Sequence, residues 1–311
     1  MARTAQMPTS TRSERAALAR KAERSAFRTG HLVLYAILVL GAIISLTPFV
    51  YMILTSFKTY GSLINNIFWP WPPFGTEPLA WENYPNAIQQ VGWDRTWGTW
   101  LFLRYMSNSL IVAGATVTGV LITSSLAAYA FASMEVPGKN TLFLLVLATI
   151  MVPSDLSLVP KVVMMFNLHW YNTYPALIIP FTVSVFGIFL LRQFFLQIPR
   201  DLYDAARIDG AGHLRYLRSI VIPVSYPAVI TIALFTFIWA WDEFKWPLLV
   251  TRDSSMRVIG VGLQQFMAGE GGTNSQLMMA LATIVVVPVL IFYFVTQKHF
   301  AEAIITSSVK G

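Results

Sequence analysis

Cysteine is absent from the 311 residues, so neither a disulfide nor a thiolate metal site can be built. Charge is scarce. Asp, Glu, Lys and Arg make up 12% of the chain, about half of the roughly 25% carried by soluble domains. His31, His169, His213 and His299 are scattered without metal-ligand spacing, and each reads as a packing or interface residue. No HExxH or GxSxG pattern occurs. Lys139 follows Gly138, but Ser133 stands where a phosphate-binding loop needs its first glycine, and Asn140 replaces the Ser or Thr. These absences predict no catalytic residue, no metal site, no cofactor in this chain, and hence no enzyme acting alone.

Long apolar runs are what the chain has. It is 55% hydrophobic, with a mean hydropathy of +0.57. Its length has room for about six spans of about 20 residues each plus loops. The expected spans are about His31–Phe57, Tyr105–Ser133, Thr141–Phe166, Tyr174–Gln193, Val224–Trp246 and Leu277–Gln297. The third, fourth and fifth contain Pro153, Pro160, Pro175, Pro180 and Pro227, which membrane helices tolerate when neighbours re-satisfy the freed carbonyls. The expected fold class is an all-α polytopic membrane protein with six transmembrane helices.

Charge placement sets the expected orientation. Of 22 Lys and Arg, 15 fall on one side of the six spans and 7 on the other. By the positive-inside rule both termini are cytoplasmic. This asymmetry also argues against nucleic acid as the partner of a +7 chain. Residues 1–30 form a basic tail, either a short helix over Arg15–Arg28 lying on anionic lipid or a disordered topology-setting segment. Residues 31–311 form the transmembrane domain. Its external loop, 58–104, carries Trp69, Trp71, Trp81, Trp93, Trp97 and Trp100 with Pro70, Pro72 and Pro73. That density suits either a membrane-interface belt or a docking surface.

Between the fourth and fifth spans lies a polar island, about 197–223, with Arg200, Asp201, Asp204, Arg207, Asp209, Arg215 and Arg218. These groups cannot lie in hydrocarbon without heavy cost. Pro199 and Asp201 suit a helix start, and Leu202, Ala205, Ala206 and Ile208 can share one small apolar face. Gly210 allows a sharp bend, after which a second helix runs to Ile220 before Pro223. The expected element is a helix–Gly–helix knob standing in water beside the membrane.

Ionisable residues near the spans are few. Asp155 and Lys161 sit towards the outer half of the third, and Asp242, Glu243 and Lys245 at the outer end of the fifth. None sits clearly at mid-span, which weakens an ion-coupled transporter reading without removing it. Tyr174, Trp239 and Trp241 have rings able to stack on sugar faces or to pack. With Asp242 and Glu243 they are the candidate substrate-pathway residues.

The island carries a resemblance. Asp204-Ala205-Ala206, three residues to Gly210, nine to Ile220, then one to Ile222-Pro223 resembles the EAA loop of ABC importer permeases. Asp stands for Glu at 204 and Ile for Leu at 222. Further stretches resemble the MalG-like permease subunit of carbohydrate ABC importers: Thr55-Ser56-Phe57-Lys58, Glu82-Asn83-Tyr84, Asn108-Ser109-Leu110, Ala127-Ala128-Tyr129-Ala130-Phe131, Phe189-Leu190-Leu191-Arg192-Gln193 and Trp241-Asp242-Glu243-Phe244.

The resemblance implies a type I importer permease fold whose coupling loop docks into an ATP-hydrolysing subunit. It implies coupling roles for Asp204, Ala205, Ala206, Asp209, Gly210, Ala211, Ile220 and Pro223, and ATPase contact by Lys310 and Gly311 of a cytoplasmic C-terminal tail, 298–311. It further implies a MalF-like permease subunit, ABC ATPase subunits holding ATP and Mg, an extracytoplasmic solute-binding protein and membrane lipid as partners. The implied cargo is a sugar, or glycerol phosphate as in other members of this branch.

Overall fold

The computed structural model describes residues 12–65, 79–270 and 274–308, and the side chains of 31, 33–64, 79–269 and 274–298. Trp69, Trp71, Pro70, Pro72, Pro73, Lys310 and Gly311 lie outside the described residues. The chain divides into two compact units, 1–54 and 55–311. The described residues of the first form a single helix, α1 (Arg12–Ser56), with Pro48 inside. Its backbone joins the basic segment directly to the 24-residue apolar stretch Val33–Ser56.

Among the described residues of the second unit the regular elements are helices apart from one small hairpin. It begins with α2 (Tyr60–Asn65) and α3 (Asn83–Val91), then the antiparallel pair β1 (Trp93–Asp94) and β2 (Thr99–Trp100). The axis of the unit is α4 (Leu101–Ser133), whose 33 residues span about 50 Å. There follow α5 (Lys139–Ala148), α6 (Leu158–Asn167), α7 (Tyr174–Ile178), α8 (Val185–Phe195), α9 (Arg200–Ile208), α10 (His213–Tyr216) and α11 (Ile222–Val224). The chain closes with α12 (Tyr226–Asp242), α13 (Lys245–Val250), α14 (Ile259–Glu270) and α15 (Ser275–Ser308). Helix α4 packs on α8, α12 and α14, and α12 packs on α15.

Close helix approach rests on small residues, as membrane packing favours. A Cβ at Gly119 would stand 2.6 Å from Cγ2 of Thr182, and one at Gly187 would stand 2.7 Å from Oγ of Ser124. A Cβ at Gly262 would lie 2.2 Å from the ring of Tyr105. Hydrogen bonds reinforce the same seam, since Thr123 Oγ1 donates to Thr182 O at 2.6 Å.

Among the described residues three helices are long and apolar enough to cross a membrane, or up to six spans if each bent pair counts as one. The third and fourth expected spans are therefore broken rather than continuous. Lys139–Met151 and Ser154–Asn167 meet at 88°, because Pro153 has no N–H to donate and holds Val152 extended, at ψ 115. Tyr174–Phe181 and Val185–Phe195 meet at 44°. There Ser184 is extended and caps the next helix by accepting from Gly187 N at 3.0 Å. The fifth span stops at Asp242 instead of reaching Trp246, and α13 starts anew after it. At the far end, residues 298–308 continue α15 rather than forming a separate tail.

Candidate functional site

The polar island folds as a closed hook. Helix α9 starts after Pro199 and ends in a nested pair of bonds: Gly210 N donates to Arg207 O at 3.0 Å, and Ala211 N to Ala206 O at 2.8 Å. This closure requires a left-handed residue, and Gly210 has φ +77. A Cβ there would meet nothing within 4 Å, so the demand on glycine within this chain is conformational rather than steric. After Gly212 the chain turns into α10 and then widens into a π-helical turn over Leu217–Val221. The widening lets the backbone continue through Pro223, whose ring would clash in a regular helix. The expected stop before Pro223 is thus a bulge followed by α11.

The hook is held by aromatic residues. Tyr129, near the end of α4, has its hydroxyl 2.8 Å from Nδ1 of His213. Tyr203 stacks on His213 with ring centroids 5.9 Å apart, and Tyr216 meets Tyr203 edge-on at 5.2 Å. Beneath them Ala206, Tyr216, Leu217 and Val221 share a core with Val120, Tyr129, Leu191 and Ile232.

Ala206 accordingly faces inward, 7% exposed, and does not share the outward face expected for it. One helical step separates it from Ala205, about 100° around the axis, so only Ala205 points out. Asp204, Ala205, Asp209, Gly210 and Pro223 are exposed, while Ala211 and Ile220 are half-buried against the core. The outward apolar face consists of Leu202, Ala205, Ile208 and Leu214, with Ile208 87% and Leu214 71% exposed. Leu214 and the Tyr129–His213 pair escaped sequence reading. A lone leucine between His213 and Arg215 was their only local signal.

A second feature lies where the helices break. A cavity of about 980 Å³ opens among residues of the Pro153 break, the Ser184 break and the end of α12. It gathers Asp155, Lys161, Asp242, Glu243 and Lys245, although the first two are six apart in sequence. A 3-10 turn, Ser154–Ser157, lies between the Pro153 break and α6, and Asp155 and Lys161 both stand on the cavity lining. Phe181 sits 4.9 Å from Trp239 and 5.6 Å from Trp246. Lys161 Nζ lies 5.7 Å from the Phe181 ring.

Of the expected pathway residues, Trp239, Asp242 and Glu243 line this cavity. Trp241 does not; two residues along a helix is about 200°, and its ring stacks on Phe237 in the core at 5.7 Å. Tyr174 is also elsewhere. Its hydroxyl donates to Asn108 Oδ1 at 2.7 Å, and Asn108 Nδ2 donates to the carbonyls of Ser255 and Arg257, both at 2.8 Å. Tyr174 thus serves a structural lock. Among the described residues no group of His, Asp and Glu could hold a metal ion.

Residues 119–306 match the family model described as binding-protein-dependent transport system inner membrane component. That stretch covers more than half of the chain and includes both the hook and the cavity. The chain belongs to this family. The permease is 32% identical over 278 residues to the sn-glycerol-3-phosphate transport system permease protein of Brucella abortus, covering 88% of this chain and 96% of that one. It is 30% identical over 274 residues to the arabinooligosaccharides transport system permease protein of Halalkalibacterium halodurans, covering 87% and 93%.

Its fold is shared with a chain in the crystal structure of a bacterial importer of the acidic polysaccharide alginate. The TM-score is 0.74, with 23% identity, 94% of this chain and 100% of that one covered. The permease is therefore a multi-pass protein of the prokaryotic inner membrane that works with a binding protein. It is a transport subunit rather than an enzyme, with the all-α permease fold that the sequence implied. Membership of a binding-protein-dependent family decides against the ion-coupled alternative.

Proposed function

We propose that this permease forms one half of the transmembrane pathway of an ATP-driven importer for a sugar or sugar-like solute. A MalF-like permease is the other half. Two ABC ATPase subunits lie on the cytoplasmic side, with both termini of this chain, and a solute-binding protein delivers cargo from outside. The basic residues at the N-terminus and in the hook support that orientation.

The observation that carries the reading is the hook itself. Asp204, Ala205, Asp209 and Gly210 are exposed beside Leu202, Ile208 and Leu214. Covering a side chain as exposed as Ile208 would contribute about 1.5–3 kcal/mol, which explains an apolar knob left on a polar loop. The inner face is pinned to α4, so a push on the knob reaches the membrane helices as a rigid-body displacement. Lys310 and Gly311 add a charge-assisted contact to the same ATPase surface.

Expression with its neighbouring transport genes tests this reading. The permease should co-purify with an ATPase and support ATP-dependent uptake in proteoliposomes. Single cysteines placed at Gln89 and Ser254 should react with an impermeant thiol reagent from outside, and one at Leu214 should not. Labelling of position 214 from outside in intact cells would refute the orientation.

A further inference from the structure

We propose that the cavity among the broken helices binds cargo directly, and that it takes an uncharged polyhydroxylated solute and rejects phosphate monoesters. This rests on the importer reading and narrows its substrate class.

Formal charge comes first. The lining holds three carboxylates, Asp155, Asp242 and Glu243, against two ammonium groups, Lys161 and Lys245, a formal sum of −1. A phosphate monoester brings about −1.5 to −2 near neutrality and would enter a site already biased against it. No arginine lines the cavity among the described residues, so the bidentate fork suited to phosphate is missing.

Helix ends give the second argument. An anion is ordinarily welcomed by free N–H groups at a helix start. Three helix starts border this cavity, at Leu158 of α6, Val185 of α8 and Lys245 of α13, and the last two each donate to a side-chain oxygen of this chain. Gly187 N of α8 donates to Ser184 Oγ at 3.0 Å, and Trp246 N of α13 donates to Glu243 Oε1 at 3.0 Å. The second of these caps is itself a carboxylate.

What remains suits a sugar. Trp239 is 43% exposed and meets Phe181 at an interplanar angle of 56°, an aromatic corner for the C–H face of a pyranose or furanose ring. Asp242 and Glu243 stand on the same lining as acceptors for hydroxyls, and hydrogen bonds to ionised acceptors are the stronger kind. The lining thus sets aromatic rings beside polar and charged groups, the two elements that small-molecule sites combine. Broken helices at such a site are the usual way for a membrane protein to place polar groups inside.

The test uses the detergent-purified complex without its binding protein, titrated by calorimetry with maltotriose, arabinotriose, sn-glycerol 3-phosphate and inorganic phosphate. At least one trisaccharide should bind about tenfold more tightly than either phosphate, a difference of about 1.4 kcal/mol. Trp239→Ala should weaken that binding about tenfold, and Trp239→Phe should restore most of it. Asp242→Lys should raise phosphate affinity. The proposal is overturned if either phosphate binds as well as the sugars, if neither sugar binds, or if Trp239→Ala leaves sugar affinity unchanged. ATPase co-purification and ATP hydrolysis in the same preparation report on the importer reading separately. Their absence alongside retained sugar selectivity would fault that reading and leave the cavity assignment standing.

Discussion

The hydroxyl of Tyr129 lies 2.8 Å from Nδ1 of His213, joining the end of a 33-residue helix to the hook that follows the fourth span. The other end of that helix is held just as firmly. Asn108 bonds to the Ser255 and Arg257 carbonyls, and Ser109 Oγ accepts from Ile259 N at 2.8 Å. Between the two ends Val120 borders the cavity. Helix α4 is thus a rod of about 50 Å with one end on the hook, its middle on the cavity, and its other end on the loop before α14.

Removing the hook's attachment should uncouple it without unfolding the permease. Tyr129→Phe deletes one hydrogen bond and keeps the ring contacts, a loss of about 0.5–1.5 kcal/mol. The variant should insert and bind its ATPase normally, while binding-protein-stimulated ATP hydrolysis falls several-fold relative to basal turnover. Stimulation equal to wild type would mean that the pair is not part of the linkage.

Gly210 separates two explanations for a glycine. Its φ of +77 and the open space where a Cβ would sit make the requirement one of backbone conformation. Gly210→Val should cost about 1–3 kcal/mol in that left-handed turn and abolish transport in an inserted protein. Gly210→Asn, which tolerates the conformation, should retain most activity. If Asn is as damaging as Val, the space above Gly210 is filled by a partner surface.

At the start of the second unit, Asn83 should be a stability residue. Its Nδ2 donates to the carbonyls of Ser56 and Lys58, both at 2.8 Å, while Ser56 Oγ and the Tyr84 hydroxyl lie 2.8 Å apart. Phe57 packs edge-on to Trp81 at 4.7 Å. Lys58 is buried beside them, which pushes its ammonium below its usual pKa. Asn83→Leu would leave two carbonyls without this donor and destabilise by about 1–3 kcal/mol. Thermal unfolding in detergent should show a lowered midpoint, and an unchanged midpoint would contradict that role.

Composition made the membrane class legible, and the run of ionisable residues with Gly210 exposed the hook. The motif stretches were visible separately. Their pairing was not, because Glu82-Asn83-Tyr84 and Thr55-Ser56-Phe57-Lys58 meet through the Asn83 and Tyr84 side chains, 25 to 28 residues away in sequence. Hydropathy also hid the helix breaks. An apolar run reads alike whether it bends at Pro153 or not, so the gathering of Asp155 and Lys161 with Asp242 and Glu243 could not be read from spacing. The inward turn of Ala206 was similarly hidden, since Ala205 and Ala206 are alike in the sequence and only the second joins the core with Tyr203 and Tyr216.

The central claim is that the outward face of the hook is the ATPase docking surface. The absence of cysteine makes one measurement decisive. Ile208→Cys and Glu135→Cys, both at exposed positions, are assembled with the ATPase subunits and treated with a short thiol cross-linker, using ATPase subunits that carry single cysteines around their cleft. The account expects position 208 to be captured by the ATPase, position 135 to escape, and the 208 cross-link to block binding-protein-stimulated hydrolysis. Capture at 135 with none at 208, or full stimulation in the cross-linked 208 complex, would contradict it.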